Sequence, residues 1–409
     1  MPLTTAKPEF STEIIQEGQT KVVVPRLGAF VKQPSDYAPS KAPVFYNPVM
    51  ELNRDIAVLA VQAYQKIVGR KITVCEPLTG CGLRGIRFAT EVKGIKKVIL
   101  SDVNKKAFSL AGYNVQMNHL QKLIAIKNKE ANVILSSYSA PYKRFDVIDI
   151  DPFGSPVPFI DSAVRALRNH GLIGLTATDM ASLCGVHSKA CIRKYGGKSL
   201  RTEYCHELAI RLLAGCLATM AAKHDIGVRI VLSHRGEHYV RVYATIDYGA
   251  RNADQSLGNV GFILHCPKCL HRETLNDISL IGYLKECVEC GSEMNVAGPL
   301  WLGNTTDRKY CALVEQQIET RKLRLAAMIR KMLALIECES NAPISYYVLD
   351  RVCSKLSLPV PSVAHVMQEL KKEGFQAVPT HLNSRGIRSD VSASQLARII
   401  KRLTKTAQY

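Results

Sequence analysis

From Ile72 onward the apolar and polar positions follow a repeating order, in which short apolar runs alternate with longer segments of helical period. The runs 72–76, 97–101, 132–135, 145–150, 171–177, 227–233 and 239–247 read as strands. Strands separated by helices predict a parallel α/β sheet with both faces covered. Only His234–His238 separates the last two runs, so they are expected to pair as an antiparallel hairpin. Upstream, residues 51–68 place Leu52, Ile56, Leu59, Ala60, Ala63 and Ile67 on one stripe, which predicts an amphipathic helix. A β-like run, Lys21 to Val24, precedes a proline-rich stretch that ends at Pro48.

The pattern changes near residue 250. Gly249, Asn252, Asp254, Gln255 and Gly258 read as a linker. A cysteine-bearing module follows at 262–300. From 318 the tail reads as helical, with 344–356 and 361–373 as two helices and Phe375–Ile387 as a short β-like wing. The expected division is an N-terminal α/β domain, 1–250, and a C-terminal α+β domain, 251–409.

At 409 residues the chain is long enough for two such cores. Its 54 Lys and Arg against 35 Asp and Glu leave a formal charge of +19. That excess points to a polyanionic partner, of which nucleic acid is the usual one. The sequence shows no apolar run that reads as a bilayer span, and its first residues are polar and mixed in charge, unlike a secretory signal. The 13 cysteines are odd in number, and Cys75, Cys184, Cys205 and Cys216 fall inside apparent elements. Such usage fits the reduced thiols of a cytoplasmic protein better than a disulfide framework. The expectation is a cytoplasmic, membrane-free monomer, since no protein partner is indicated.

Run 72–76 leads into EPLTGCGLRGIRFATEV, where Gly80, Gly82 and Gly85 form a G-x-G-x-x-G between strand and helix. Glycines there let the backbone turn sharply and approach a ligand. Asp102 closes the next strand, where an acid accepts hydrogen bonds from ribose hydroxyls. A pyrophosphate wants a helix N-terminus clear of negative charge. Glu76, just before the loop, suits the cationic sulfonium or amino group of S-adenosylmethionine better, unless it simply pairs with Arg84 or Arg87.

Residues 145–156, FDVIDIDPFGSP, carry a sharper signal: an apolar strand that ends in Asp151-Pro152-Phe153-Gly154. Ligands of open α/β sheets gather at the carboxyl ends of strands. Methylating the exocyclic amine of a base calls for an acceptor of its protons and a surface on which the base can stack. Asp151 offers the first and Phe153 the second. A lone Asp-Pro turn with a buried Phe would look the same, but here a cofactor loop precedes it in the same sheet.

DPFGSP resembles the catalytic motif of the tRNA guanine-N2 dimethyltransferase family, which acts at tRNA position 26. Further segments are similar to the same family, in order: FYNPVMELNRD (45–55), EPLTGCGLRGIRFA (76–89), TATDMASLCG (176–185), ACIRKYG (190–196), SHRGEHYVRVY (233–243), GPLWLG (298–303) and THLNSRGIRSD (380–390). The resemblance implies a Rossmann-like class I methyltransferase domain that uses S-adenosylmethionine. It implies that Arg54 and Arg84 bind the carboxylate side of the cofactor and that Asp102 holds the ribose. Glu130 and Ala131 would contact the adenine, although the family usually reads Asp-Ala there. Phe45 would face Phe153 and sandwich the target guanine.

Cys266-x-x-Cys269 and Cys287-x-x-Cys290 have the spacing of a four-thiolate zinc site. Four protein ligands leave no open position, so the expected Zn2+ is structural. The tail resembles a winged helix whose basic residues, among them Lys371, Lys372, Arg385, Arg388, Lys401, Arg402 and Lys405, offer an RNA-binding face. Two other readings remain: a nicotinamide-dependent oxidoreductase using the same glycine loop, and a non-enzymatic zinc and winged-helix nucleic-acid-binding protein. The first leaves the DPFGSP strand end and the charge without a role. The second leaves the whole N-terminal sheet without one.

Overall fold

The computed structural model describes residues 8–31, 33, 38–276 and 286–406. The chain forms two compact units. The first runs through Thr176 and adds Tyr243–Tyr248 and Ala312–Arg330; the second comprises Ala177–Val242, Gly249–Cys311 and the chain from Lys331 onward. The units thus interleave along the sequence, instead of dividing once near residue 250.

The strands are β1 Thr12–Glu17, β2 Thr20–Pro25, β3 Ile72–Glu76, β4 Ile95–Ser101, β5 Ile124–Lys127, β6 Phe145–Ile150, β7 Leu167–Ala177, β8 Ile226–Arg235, β9 Val240–Tyr248, β10 Val260–His265, β11 Arg272–Leu275, β12 Asn295–Trp301, β13 Tyr347–Val348, β14 Ala377–Thr380 and β15 Asn383–Ser389. Seven make one sheet, in the order β5-β4-β3-β6-β7-β9-β8. β3 pairs in parallel with β4 on one side and β6 on the other. The strand order therefore reverses between β3 and β6, and their carboxyl ends share one sheet edge. Every residue of β6 is buried, as expected of a parallel strand covered on both faces. β8 and β9 are adjacent in the sheet and joined only by Gly236–Tyr239, so the chain reverses there in the expected hairpin.

In the first unit, helix Glu51–Val68 has the predicted bounds. Asn47 starts the turn before it by accepting from the Val49 N–H (3.0 Å), and Gly69, at φ +65°, closes it. Its stripe was read too narrowly. Asn53, Arg54 and Asp55 are buried as well, while Ile67 is exposed. Residues 132–135 are not a strand. They lie in helix Ala131–Ser136, and the neighbouring strand is β5, upstream. The apolar Val-Ile-Leu run fits either state; Glu130 decides it by capping the helix, accepting from Val133 N (3.0 Å) and Asn132 Nδ2 (3.1 Å). Ala312–Arg330 is fastened to this unit by Arg321, which donates to Gln62 Oε1 (3.0 Å) and the Glu91 carbonyl (2.9 Å), and by Arg324 on Glu51.

In the second unit, helix Cys205–Ala222 packs on β8, β12 and helix Ala250–Leu257. By length and mean hydropathy (1.3) it passes for a membrane span, contrary to the sequence reading, yet 72% of it is buried inside the protein. The expected linker is itself helix Ala250–Leu257. Ser256 Oγ locks it to β8 through Val228 N (2.7 Å) and O (3.0 Å). The tail does not end in its β-like hairpin, β14–β15. It continues as helix Ala393–Thr406, whose Leu396, Ile399, Ile400 and Leu403 join a core with Leu349, Val366 and Leu370.

The second unit buries a dense ion cluster. Glu207 pairs with Arg211 Nε (2.8 Å) and Arg388 Nη1 (2.9 Å) and accepts from Ser345 N (3.0 Å); Arg388 also meets Glu339 (2.6 Å). Arg388, read from the sequence as part of an RNA-facing set, is thus internal. Burial raises the Glu207 carboxyl, but Arg388 and Arg211 outweigh it and hold the group at about 2. A group depressed in this way adds stability above its ordinary pKa, and that stability is lost as pH falls through the window down to the depressed value. Glu207→Ala should lower stability at neutral pH by about 3–5 kcal/mol, since it leaves Arg211 buried without its carboxylate and Arg388 with Glu339 alone. Urea unfolding should show the gap to wild type narrowing from about pH 4.5 downward; a gap independent of pH would remove the ion pairs as its cause.

Candidate functional site

The first unit builds its site on the shared carboxyl edge of β3, β4 and β6. β3 ends at Glu76, and the loop beyond it turns at Gly80 (φ +55°) and Gly82 (φ +83°) into helix Leu83–Glu91. Both values lie in the left-handed region that favours glycine. At Gly85 a Cβ would stand 2.2 Å from Leu100 Cδ2, so the third glycine lets the helix sit directly on β4. Asp102, just past β4, accepts from Gly80 N (2.8 Å) and Asn104 N (2.9 Å) and so ties down the loop. Burial holds its carboxyl above the ordinary value.

Arg84 is the hub of this edge. Its Nη2 pairs with Asp151, and its Nη1 donates to Asn53 Oδ1 (2.9 Å). Its Nε lies 3.4 Å from Asp149 and 3.7 Å from Glu76. Glu76 is only 3% exposed and faces inward, accepting from Thr79 Oγ1 (2.7 Å) and Gly85 N (3.0 Å). It therefore braces the glycine loop, and the pairing with Arg84 weighed from the sequence is present. Burial pushes its carboxyl up to about 8, against the pull of Arg84 and the Thr79 hydrogen bond.

Arg54 is buried too. It forms a fork with Glu17 of β1 (2.7 and 2.5 Å) and donates to the Asn47 carbonyl (3.1 Å). Glu17 also lies 3.5 Å from Arg87, which holds Asp55 (2.7 Å) and Glu91 (2.8 Å). Ala131 is buried at the start of the helix that Glu130 caps. Phe153 projects from the loop after β6, 65% exposed, and touches Phe45, with ring centroids 4.2 Å apart at 80°. The expected facing rings are not found. This is an edge-to-face pair, with no slot for a base between the two.

In the second unit, the thiols of Cys266, Cys269, Cys287 and Cys290 lie within 4.8 Å of one another. Cys266–Cys290 and Cys269–Cys287 are each 3.5 Å apart. Two similar turns deliver them: Leu270 N bonds to Cys266 O and Gly291 N to Cys287 O, with Leu270 at φ +69° and Gly291 at φ +67°. A tetrahedral site with metal–sulfur bonds of about 2.3 Å has sulfur–sulfur edges of about 3.8 Å. The donor set fits such an ion.

A family sequence model described as TRM: N2,N2-dimethylguanosine tRNA methyltransferase matches residues 18–401. The chain belongs to this family. It is 40% identical over 361 residues to the tRNA (guanine(26)-N(2))-dimethyltransferase of Methanothermobacter thermautotrophicus, covering 88% of this chain and 93% of that one. The Methanobrevibacter smithii enzyme of the same name is 38% identical over 398 residues, 97% and 99% of the two chains. Among solved structures, Trm1 from Pyrococcus horikoshii, in complex with S-adenosyl-L-methionine, aligns with a TM-score of 0.82 at 32% identity, covering 95% of this chain and 99% of that one. The Rossmann-like α/β architecture expected of a methyltransferase is therefore shared with a member of the family.

Sequence reasoning missed three members of this site. Asn53 and Asp149 hold Arg84, and Glu17 holds Arg54. Asp149 carried a signal, a second acid two residues before Asp151 in a strand buried throughout.

Glu76 gives this edge a pH signature. In the folded chain it stays protonated up to about 8, while an unfolded glutamate ionises near its ordinary 4.5. Folded stability is therefore lost as pH rises across that window. Glu76→Gln should gain in thermal stability relative to wild type between about pH 5 and about pH 8. A difference that stays flat across that range would mean that Glu76 is ionised in the folded protein.

Proposed function

We propose that this chain transfers one or two methyl groups from S-adenosylmethionine to the exocyclic N2 amine of the guanine at tRNA position 26. The observation that carries the reading is Asp151, presented at the carboxyl end of β6 on the sheet edge that carries the glycine loop and held there by Arg84. Family membership and the names of the relatives support the substrate. The oxidoreductase reading gives Asp151 and Phe153 no task.

S-adenosylmethionine supplies an electrophilic methyl group on a cationic sulfur. The glycine loop turns through left-handed values at Gly80 and Gly82, and Gly80 N donates to Asp102 at the end of the neighbouring strand. A carboxylate has about four acceptor positions, so Asp102 can take a ribose hydroxyl besides the backbone N–H groups of Gly80, Val103 and Asn104. Ala131 and the cap residue Glu130, which stands where the family usually has aspartate, would flank the adenine. Arg54 and Arg84 would attract the carboxylate end, and both would do so from within existing ion pairs. Glu76 acts here through the loop it braces.

The guanine N2 lone pair is delocalised into its ring. Asp151 accepts a hydrogen bond from that amine, frees the lone pair and takes the proton as the methyl group arrives. Arg84 fixes the orientation of the carboxylate while Asp151 does this. Phe153 stacks on the flipped base, with Phe45 beside it, once the edge-to-face pair opens. The four cysteines hold a structural Zn2+, and the tail acts as a winged-helix-like grip on tRNA. The enzyme works as a monomer in the cytoplasm.

Asp151→Ala should cut methyl transfer to unmodified tRNA transcript by about 10²–10⁴ and leave S-adenosylmethionine affinity nearly unchanged. Asp102→Ala should weaken that affinity. Mass spectrometry of methylguanosines and calorimetry read the two effects. Normal turnover by Asp151→Ala would remove the proposed acceptor from the reaction, and methylation at another nucleotide would remove position 26. The metal is tested separately. Elemental analysis should find about one zinc per chain. Cys266→Ser should lose it and destabilise the second unit while keeping cofactor affinity; freshly purified protein without zinc would overturn the assignment.

A further inference from the structure

A second sulfur-bearing cluster lies outside the site described above. The thiols of Cys184 and Cys205 and the imidazole of His206 lie within 4.8 Å of one another, and all three residues are half-buried, within reach of solvent. The backbone brings them together. Cys184 caps helix Met180–Leu183 through its N–H on the Met180 carbonyl (2.7 Å). Gly185, at φ +86°, presses so closely on the Leu200–Arg201 peptide that a Cβ would stand 2.2 Å from the Leu200 carbonyl carbon. Cys205 then opens the long helix Cys205–Ala222.

Two cysteines and a histidine suggest a metal, but Arg235 argues against one. Its Nη1 lies 3.4 Å from His206 Nε2. A guanidinium can only donate, so Nε2 accepts and the ring proton sits on Nδ1. Neither nitrogen then has a lone pair to spare, and a fixed positive charge stands beside the place a cation would occupy. Thiol chemistry gains from the same surroundings. The hydrogen bond from Cys184, the Arg235 guanidinium and the N–H groups of Cys205 and His206 favour the Cys205 thiolate, against the opposing effect of burial.

We propose that Cys184 and Cys205 are a redox-active pair that closes reversibly to an intramolecular disulfide. The oxidant is a low-molecular-weight disulfide. The Cys205 thiolate attacks one of its sulfurs, forms a mixed disulfide and expels one thiolate. Cys184 gives its proton to that thiolate, attacks the Cys205 sulfur and expels the second, which takes a proton from solvent. Two electrons leave the pair and reduce the oxidant to two thiols. The bond closes residues 185–204, including helix Ser188–Tyr195, into a covalent loop. The proposal does not depend on the methyl-transfer reading.

The test uses the full chain, incubated with glutathione disulfide, quenched in acid, alkylated with N-ethylmaleimide and mapped by peptide mass spectrometry. The expected result is a Cys184–Cys205 cross-linked peptide, a loss of two titratable thiols and full recovery with dithiothreitol. Cys184→Ser should trap glutathione on Cys205, and Cys205→Ser should leave Cys184 alkylated. The proposal is overturned if wild type shows both residues alkylated at excess oxidant, or cross-links confined to other cysteines. Wild type alone decides the matter, so a serine variant that fails to fold does not rescue it.

Discussion

One guanidinium stands where three strand-end carboxyl groups meet, and the geometry of the candidate site follows from that arrangement. Arg84 comes from the helix after the glycine loop, Glu76 from β3, Asp149 from β6 and Asp151 from the position just past it. Burying so many ionisable groups is costly, and the cost is offset only when geometry and hydrogen bonds are good. Asn53, Thr79 and Gly85 N supply those bonds. The result is a carboxylate at Asp151 whose direction is fixed before any substrate arrives. Preorganisation of this kind is what the proposed role of Asp151 as a proton acceptor calls for.

Much of this could be read from the sequence because local chemistry fixes local structure. Gly80, Gly82 and Gly85 marked a loop that only glycine tolerates, and the apolar run into Asp151 marked a strand end. The two C-x-x-C pairs marked thiols that a turn brings together. Long-range ion pairs have no such mark. The Glu17–Arg54 fork joins β1 to the first long helix across 37 positions, and nothing near either residue announces the other. The burial of Arg54 therefore left no trace in the sequence, and β1 was not seen at all.

The remaining misreadings share another cause, competition between two states with similar composition. Ala131–Ser136 is apolar enough to be a strand, and one capping carboxylate makes it a helix. Helix Ala250–Leu257 is polar and ends at Gly258, so it looked like a linker until Ser256 was seen bridging to β8. The basic positions of the last helix hid the stripe of Leu396, Ile399, Ile400 and Leu403 beneath them. Cys184 and Cys205, 21 positions apart with no paired spacing, became neighbours only through the contact at Gly185.

The interleaving of the two units bears on how the chain is made. A ribosome releases residues in order, and domains generally fold as units as they emerge. Five of the seven strands of the main sheet are made by Ala177, yet the first unit still lacks Tyr243–Tyr248 and the segment carrying Arg321 and Arg324. Glu51 and Gln62 wait for partners encoded more than 250 positions later. The first unit therefore cannot close until the chain has been made as far as Arg330, with much of the second unit already released, and no cut near residue 250 yields it whole.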